Sequence, residues 1–128
     1  MFLRHARRMT LQRDRGNLGE KIARRYLEAK QFMYIAKNYH CYFGEIDLIF
    51  KKEEVFVFVE VKLRTGDEYL PHESVNFVKQ RKLILTAENY LQRHELLYEV
   101  DWRFDVVEIV LQGTHAKVRH FENALEHY

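Results

Sequence analysis

With one cysteine and one proline in 128 residues, the chain has no disulfide framework and no proline-rich linker to organise it. Cys41 alone cannot form an internal bridge, and it cannot supply the paired-cysteine spacing of a structural zinc site, so a reducing compartment is expected. Only five glycines are present, which excludes collagen-like and glycine-rich low-complexity chains. No apolar run approaches the ~18 residues of a membrane span. The opening MFLRHARRMTLQRDRG lacks the apolar stretch of a secretory signal, and a cytoplasmic protein without a membrane partner is expected. Hydrophobic residues make up 47% and charged residues 31%, the balance of an ordinary globular chain long enough to bury one core without staples.

Net charge is also small, at +2, but its distribution is uneven. Residues 1–25 hold eight Arg or Lys, at 4, 7, 8, 13, 15, 21, 24 and 25, against Asp14 and Glu20. The composition divides into a basic arm over 1–15 and a single domain over 16–128. Such a block can track a phosphate backbone through counterion release, with Arg13 and Arg15 as candidate contacts, or it can be a solvated arm.

Hydrophobic periodicity orders the rest. Leu18, Ile22, Ala23, Tyr26 and Leu27 recur at helical spacing over 17–30. FMYIAKNYHCYF reads as a strand ending at Gly44. GEIDLIFKK and EEVFVFVEVKLR read as a hairpin turning within Lys51–Glu54. TGDEYLPHES is a loop, residues 73–94 are a second helix, and WRFDVVEIVL and AKVRHF are two more strands. Helix, three strands, helix, two strands implies an α/β fold: a central mixed sheet of about five strands flanked by helices.

VFVFVEVK is the most informative segment. A continuous Val/Phe run is how a central strand buried on both faces reads, yet it contains Glu60 and ends on Lys62. Removing an ion from water costs several kcal/mol, so a carboxylate here calls for a cation, a metal or a shifted pKa. Alternation puts Phe56, Phe58, Glu60 and Lys62 on one face. A hairpin symmetric about residues 52 and 53 pairs Leu48 with Val57, Asp47 with Phe58 and Glu45 with Glu60, so that Glu45, Asp47, Glu60 and Lys62 share a face. Magnesium often takes only one or two protein carboxylates and leaves places for water and phosphate. Asp47 and Glu60 suit that role, and Lys62 suits the stabilisation of charge developing on a phosphoryl group. The other reading is an internal salt bridge from Lys62 to either carboxylate.

These residues resemble the D-x(n)-E-x-K core of PD-(D/E)xK nucleases. NLGEKIARRYL, KNYHCYFGEIDLIF, VFVFVEVKLR, VKQRKLILTAENYL and RFDVVEI, in that order over roughly residues 15–110, resemble the YraN-type family of bacterial proteins. That family is assigned a restriction-endonuclease-like fold related to archaeal Holliday-junction resolvases. The resemblance implies that Asp47 and Glu60 are metal ligands for Mg2+ or Mn2+, and that Lys62 is the catalytic lysine. It also implies that Glu20 is an additional acidic site residue, its other reading being a helix-start carboxylate favoured by the dipole. The helix carrying Lys79, Gln80, Arg81 and Lys82 follows the E-x-K strand, and Gln80 is the expected contributor. Ile46 replaces the nominal proline of the motif.

The implied function is endonucleolytic hydrolysis of DNA, structure-selective for branched or damaged DNA in repair or recombination. A homodimer is expected only because the resolvase relatives cut two strands. The alternatives are a non-catalytic nucleic-acid-binding module of the same fold and, less favoured by the basic arm, a protein-interaction domain. Arg64, continuing the Lys62 face, is a candidate phosphate contact or a surface arginine. Asp105 is expected to pair with Arg103 or to support the sheet edge, outside the site. The seven histidines show no metal spacing and are expected at the surface. The tyrosines and phenylalanines fall mostly at core periodicity, without an evident stacking platform.

Overall fold

A computed structural model describes residues 2–66 and 77–125, with side chains described from Asp14 onward. The elements are α1 (Phe2–Ala29), β1 (Met33–Cys41), β2 (Gly44–Lys52), β3 (Val55–Thr65), α2 (Phe77–Arg93), β4 (Asp101–Gln112) and β5 (His115–Phe121). The strands form one five-stranded sheet in the order β1-β2-β3-β4-β5. Only β3 and β4 run parallel, because α2 carries the chain back across the sheet between them. Loop residues 67–76, where most of TGDEYLPHES falls, lie outside the described residues, as does the expected start of the second helix at 73–76.

The Val/Phe run behaves as its composition requires. β3 is the middle strand, and Phe56, Val57, Phe58 and Val59 are all buried. Its two faces serve two cores. Val57 and Val59 join Leu48, Phe50, Val107 and Ile109 beneath Ala23 and Leu27 of α1. Phe56 and Phe58 join Ile49 and Phe104 beneath Ala87, Tyr90 and Leu91 of α2. The result is a helix–sheet–helix sandwich.

Both helices stop without a glycine. After α1, Phe32 N–H donates to the Leu27 carbonyl and Gln31 N–H to that of Glu28, each at 3.0 Å. Gln31 takes the left-handed conformation at φ +72°. After α2, Leu96 N–H donates to Leu91 at 2.7 Å and Glu95 N–H to Gln92 at 3.1 Å, with Glu95 at φ +58°. These are Schellman closures. The apolar residue that follows each, Phe32 or Leu96, packs into the adjoining core.

Two expectations need correction. Helix α1 is continuous from Phe2 to Ala29, so the backbone shows no break at the expected arm boundary near residue 15. The β2–β3 hairpin turns at Glu53–Glu54, pairing Lys52 with Val55, Phe50 with Val57 and Leu48 with Val59. This register differs from the expected one by two residues. An even slip keeps the facing of the paired residues 48–52, whereas an odd slip would invert them all; beyond the ladder the alternation breaks, since Ile46 joins Ile49 in the α2-side core while Leu48 and Phe50 lie in the α1-side core.

Candidate functional site

The β2–β3 ladder ends at Leu48↔Val59. From there β2 continues to Gly44 against β1, while β3 continues to Thr65 against β4. At this fork Val61 N–H has no β2 ladder, and Asp47 takes over: the amide donates to Asp47 Oδ2 at 2.8 Å. One side chain thus satisfies a strand amide that would otherwise go unpaired and anchors a carboxylate between the strands. Glu60 follows Phe56 and Phe58 on the α2 face. Glu45, Asp47 and Glu60 line one cavity of about 240 Å³, walled from α2 by Lys79 and Leu83.

The charge in this cavity is incompletely compensated. Glu60 Oε2 is buried and has no hydrogen-bond partner. Burial holds the Asp47 carboxyl above its ordinary value of 3.8, and repulsion from Glu60 and Glu45 pushes the same way, against the lowering effect of the Val61 amide. Lys62 forms no ion pair with Asp47 or Glu60 among the described residues, so the internal salt bridge, the non-functional reading of this trio, does not form. Two carboxylates at a fork with a buried, partnerless oxygen fit a divalent cation. Among the described residues no group of three or more His, Cys, Asp or Glu is arranged to hold a metal by itself. Two protein carboxylates alone would leave most of a divalent ion's shell to water and other oxygens.

Glu20 approaches from the other helix. Gly19 lets α1 close on β3: a Cβ there would meet Leu63 Cβ and Val61 Cγ1 at 3.4 Å. That approach sets Glu20 in a second cavity, of about 300 Å³, with Asn17, Lys21, Arg24 and Lys37. Burial and then the Asp47 charge raise the Glu20 carboxyl above 4.5, partly offset by Lys37. Glu20 thus lies within Coulombic reach of Asp47 although it does not line the Asp47–Glu60 cavity.

The remaining candidates divide. Lys62 is half-buried on β3, level with Glu108 of β4, and does not line the carboxylate cavity. Gln80 is buried on the inward side of α2 and its Nε2 is a second orphan, a donor without an acceptor. It too is outside the cavity lining, whereas its neighbour Lys79 is within it. Arg64 is not an open surface arginine. It is largely covered and lies 3.8 Å from the Glu108 carboxylate, as expected where parallel strands put residues diagonally adjacent. Arg15 is exposed on α1, and the Arg13 side chain lies outside the described residues.

Sequence reasoning preferred Gln80 to its neighbour Lys79 and misplaced one histidine. His40, His94 and His115 are exposed, and the side chain of His5 and the placements of His72 and His127 are outside the described residues. The His120 side chain is only 3% exposed, with Nε2 at 2.8 Å from the fully buried Asp105. Asp105 also accepts from Arg103 Nε at 3.1 Å and from Asn123 N–H at 3.1 Å. This acid is fully partnered, on the α1 face and away from the cavity. The signal that would have found it is the β4–β5 register, which sets His120 opposite Val107, two residues beyond Asp105.

A five-stranded mixed sheet between helices, with one carboxylate from a hairpin strand and Glu60-Val61-Lys62 on the next, is compatible with a restriction-endonuclease-like core. The profile of "Uncharacterised protein family UPF0102" matches residues 19–109. A UPF0102 protein of Clostridium beijerinckii is 38% identical over 117 residues, covering 89% of this chain and 94% of its own. One from Caldanaerobacter subterraneus subsp. tengcongensis is 42% identical over 113 residues, covering 85% and 92%. One from Myxococcus xanthus is 38% identical over 119 residues, covering 90% and 91%. The chain belongs to the UPF0102 family, the YraN-type proteins whose motifs it carries. No helix among the described residues is long and apolar enough to cross a membrane.

Proposed function

We propose that the chain is a metal-dependent endonuclease that hydrolyses DNA phosphodiesters, selective for branched or damaged DNA in repair or recombination. The observation that carries this reading is the Asp47–Glu60 pair: two carboxylates on one cavity, repelling one another, with one buried oxygen of Glu60 lacking a hydrogen-bond partner. Such an arrangement costs stability, and a binding protein for a polyanion gains nothing from it.

Asp47 and Glu60 would hold Mg2+ or Mn2+. When bound, the ion lowers the pKa of a coordinated water and offsets charge on the phosphoryl oxygens. The Val61 amide fixes the Asp47 carboxylate through Oδ2, so this ligand is oriented before substrate arrives. Glu60 offers an acceptor oxygen, Oε2, within the cavity, suited to orienting water against the phosphorus. Lys62, two residues further along the same strand face, supplies a positive group for the phosphoryl oxygens as negative charge grows there. Glu20 adds negative charge from the α1 side and so raises the demand for a cation at Asp47.

The second reading, a non-catalytic nucleic-acid-binding module, draws on the absence of Lys62 from the cavity lining and of a three-ligand group among the described residues. One experiment separates the two. Purified protein is incubated with branched, single-stranded and duplex DNA, with and without manganese, and manganese binding is followed by calorimetry. The nuclease reading expects metal-dependent cleavage that Glu60→Gln and Lys62→Ala abolish, with metal binding retained in Lys62→Ala. Absence of metal binding by the folded wild-type protein would refute catalysis by these residues.

A further inference from the structure

The turn joining β1 to β2 places two aromatic rings in solvent beside the carboxylate cavity. Tyr42 is 97% exposed and Phe43 is 37% exposed. The rings meet edge to face at 5.6 Å. Isolated exposed apolar residues are unremarkable in a folded protein, but here a fully exposed tyrosine ring stands against a partly covered phenylalanine at the tip of one turn. The tip is also firmly mounted. Gly44 lies so close to α2 that a Cβ would meet Thr86 Oγ1 at 3.2 Å, and the Thr86 hydroxyl is tied to the Lys82 carbonyl at 2.7 Å. On the adjoining strand Tyr39 donates its hydroxyl to Asn89 Oδ1 and sets its ring against Tyr90 at 5.2 Å. The backbone that carries the rings is thus held in place, which lowers the ordering cost of binding there.

Position and charge suggest what they meet. Tyr42 precedes Glu45 by three residues and Asp47 by five. At roughly 3.3 Å per residue the tip is at most about 17 Å from Asp47, a span of about five stacked nucleotides at ~3.4 Å each. Exposed Arg81 and Lys82 of α2 lie one turn before Thr86, the residue that Gly44 approaches, and exposed Lys37 of β1 stands on the opposite, α1 side of the sheet, in keeping with a polyanion. Inside a continuous duplex both faces of each base are covered by its neighbours, whereas an unpaired nucleotide offers a free face to an aromatic ring.

We propose that Tyr42–Phe43 is a base-stacking element that receives an unpaired nucleotide a few residues from the scissile phosphate, so that the substrate class is DNA interrupted by a fork, flap, gap or junction. This rests on the nuclease reading, and it adds the means by which structure is recognised. The test uses the full chain with calcium, a non-cleaving ion, and DNA carrying the fluorescent base 2-aminopurine either at an unpaired position of a fork or within a matching blunt duplex.

Wild type should prefer the fork and alter 2-aminopurine emission there. Tyr42→Ala and Phe43→Ala should weaken fork binding by about 10- to 100-fold, the usual loss when a stacking ring is removed. Both should lose the emission change and leave duplex affinity nearly untouched, while Tyr42→Trp retains both signals. Equal losses on fork and duplex, or no loss on either, would overturn the stacking role while leaving the nuclease reading intact. Failure of the wild type to bind any DNA would overturn both. Light scattering guards against a different occupant. If wild type is a dimer and Tyr42→Ala a monomer, with fork preference kept, the tip is a contact between copies and the proposal fails.

Discussion

Truncating Asp105 to alanine removes the acceptor for three separate groups. Arg103 donates through Nε at 3.1 Å and Nη2 at 3.3 Å, Asn123 N–H donates at 3.1 Å, and His120 Nε2 lies at 2.8 Å. Leaving a buried charge unpaired costs about 3–5 kcal/mol. Arg103 keeps 21% exposure and has Glu122 within 3.9 Å, so partial rehydration brings the expected loss to about 3–4 kcal/mol. At ~2.1 cal/mol/K per residue the unfolding entropy of a chain this long is about 0.27 kcal/mol/K, and Tm should fall by about 11–15 °C. Glu60→Gln should behave in the opposite way. It neutralises a carboxylate whose buried oxygen has no partner, and in EDTA the protein should lose less than ~1 kcal/mol or gain stability. Paired thermal and urea denaturation of both variants in EDTA, followed by far-UV circular dichroism, measures the contrast. Similar losses for the two variants, or a loss under ~1 kcal/mol for Asp105→Ala, would refute the division of buried acids into a satisfied scaffold residue and an unsatisfied site residue.

Two further outcomes are expected. Because burial, with repulsion from Glu60 and Glu45, raises the Asp47 carboxyl above 3.8, the folded protein keeps a proton that the unfolded chain releases. That contribution is complete below 3.8 and is lost as pH rises through the raised folded value. In EDTA, Asp47→Asn should therefore gain on wild type as pH climbs from about 4 to 8, and urea midpoints that keep a constant gap would contradict the direction of the shift. Replacing Arg4, Arg7, Arg8, Arg13 and Arg15 by glutamine, which preserves helix propensity, should weaken DNA binding. It should also flatten the log-affinity against log-salt slope by up to ~0.9 for each phosphate no longer neutralised, and an unchanged slope would make these arginines bystanders.

Much of the fold is legible because it follows from local pattern. The Val/Phe run at 55–59 can only be a strand covered on both sides, and it is the central one. Other features depend on information the pattern lacks. Residues 2–16 carry no sustained apolar stripe, so periodicity stops at Asn17 although the helix continues back to Phe2. Gln31 and Glu95 close their helices in a conformation usually signalled by glycine or asparagine. In the site, alternation along β3 puts Glu60 on the correct face. The role of Asp47 as partner to the Val61 amide arises from strand divergence, which has no one-residue signature. Lys79 and Gln80 are adjacent candidates on a basic stretch, and only the seating of α2 on the sheet decides that Lys79 lines the cavity.

The hydrogen bond from Val61 to Asp47 Oδ2 binds two histories together at one atom. A descendant of this chain released from selection for chemistry would be free to lose Glu60 to an apolar residue, because filling that space with carbon removes a buried oxygen that has no hydrogen-bond partner among the described residues. Position 47 would not be free in the same way. It must keep an oxygen acceptor while the strands still part at that point, so decay there should halt at asparagine rather than run on to leucine or valine. Among lineages that have abandoned the reaction, asparagine at 47 beside a hydrophobic 60 would be the remnant that outlasts the activity.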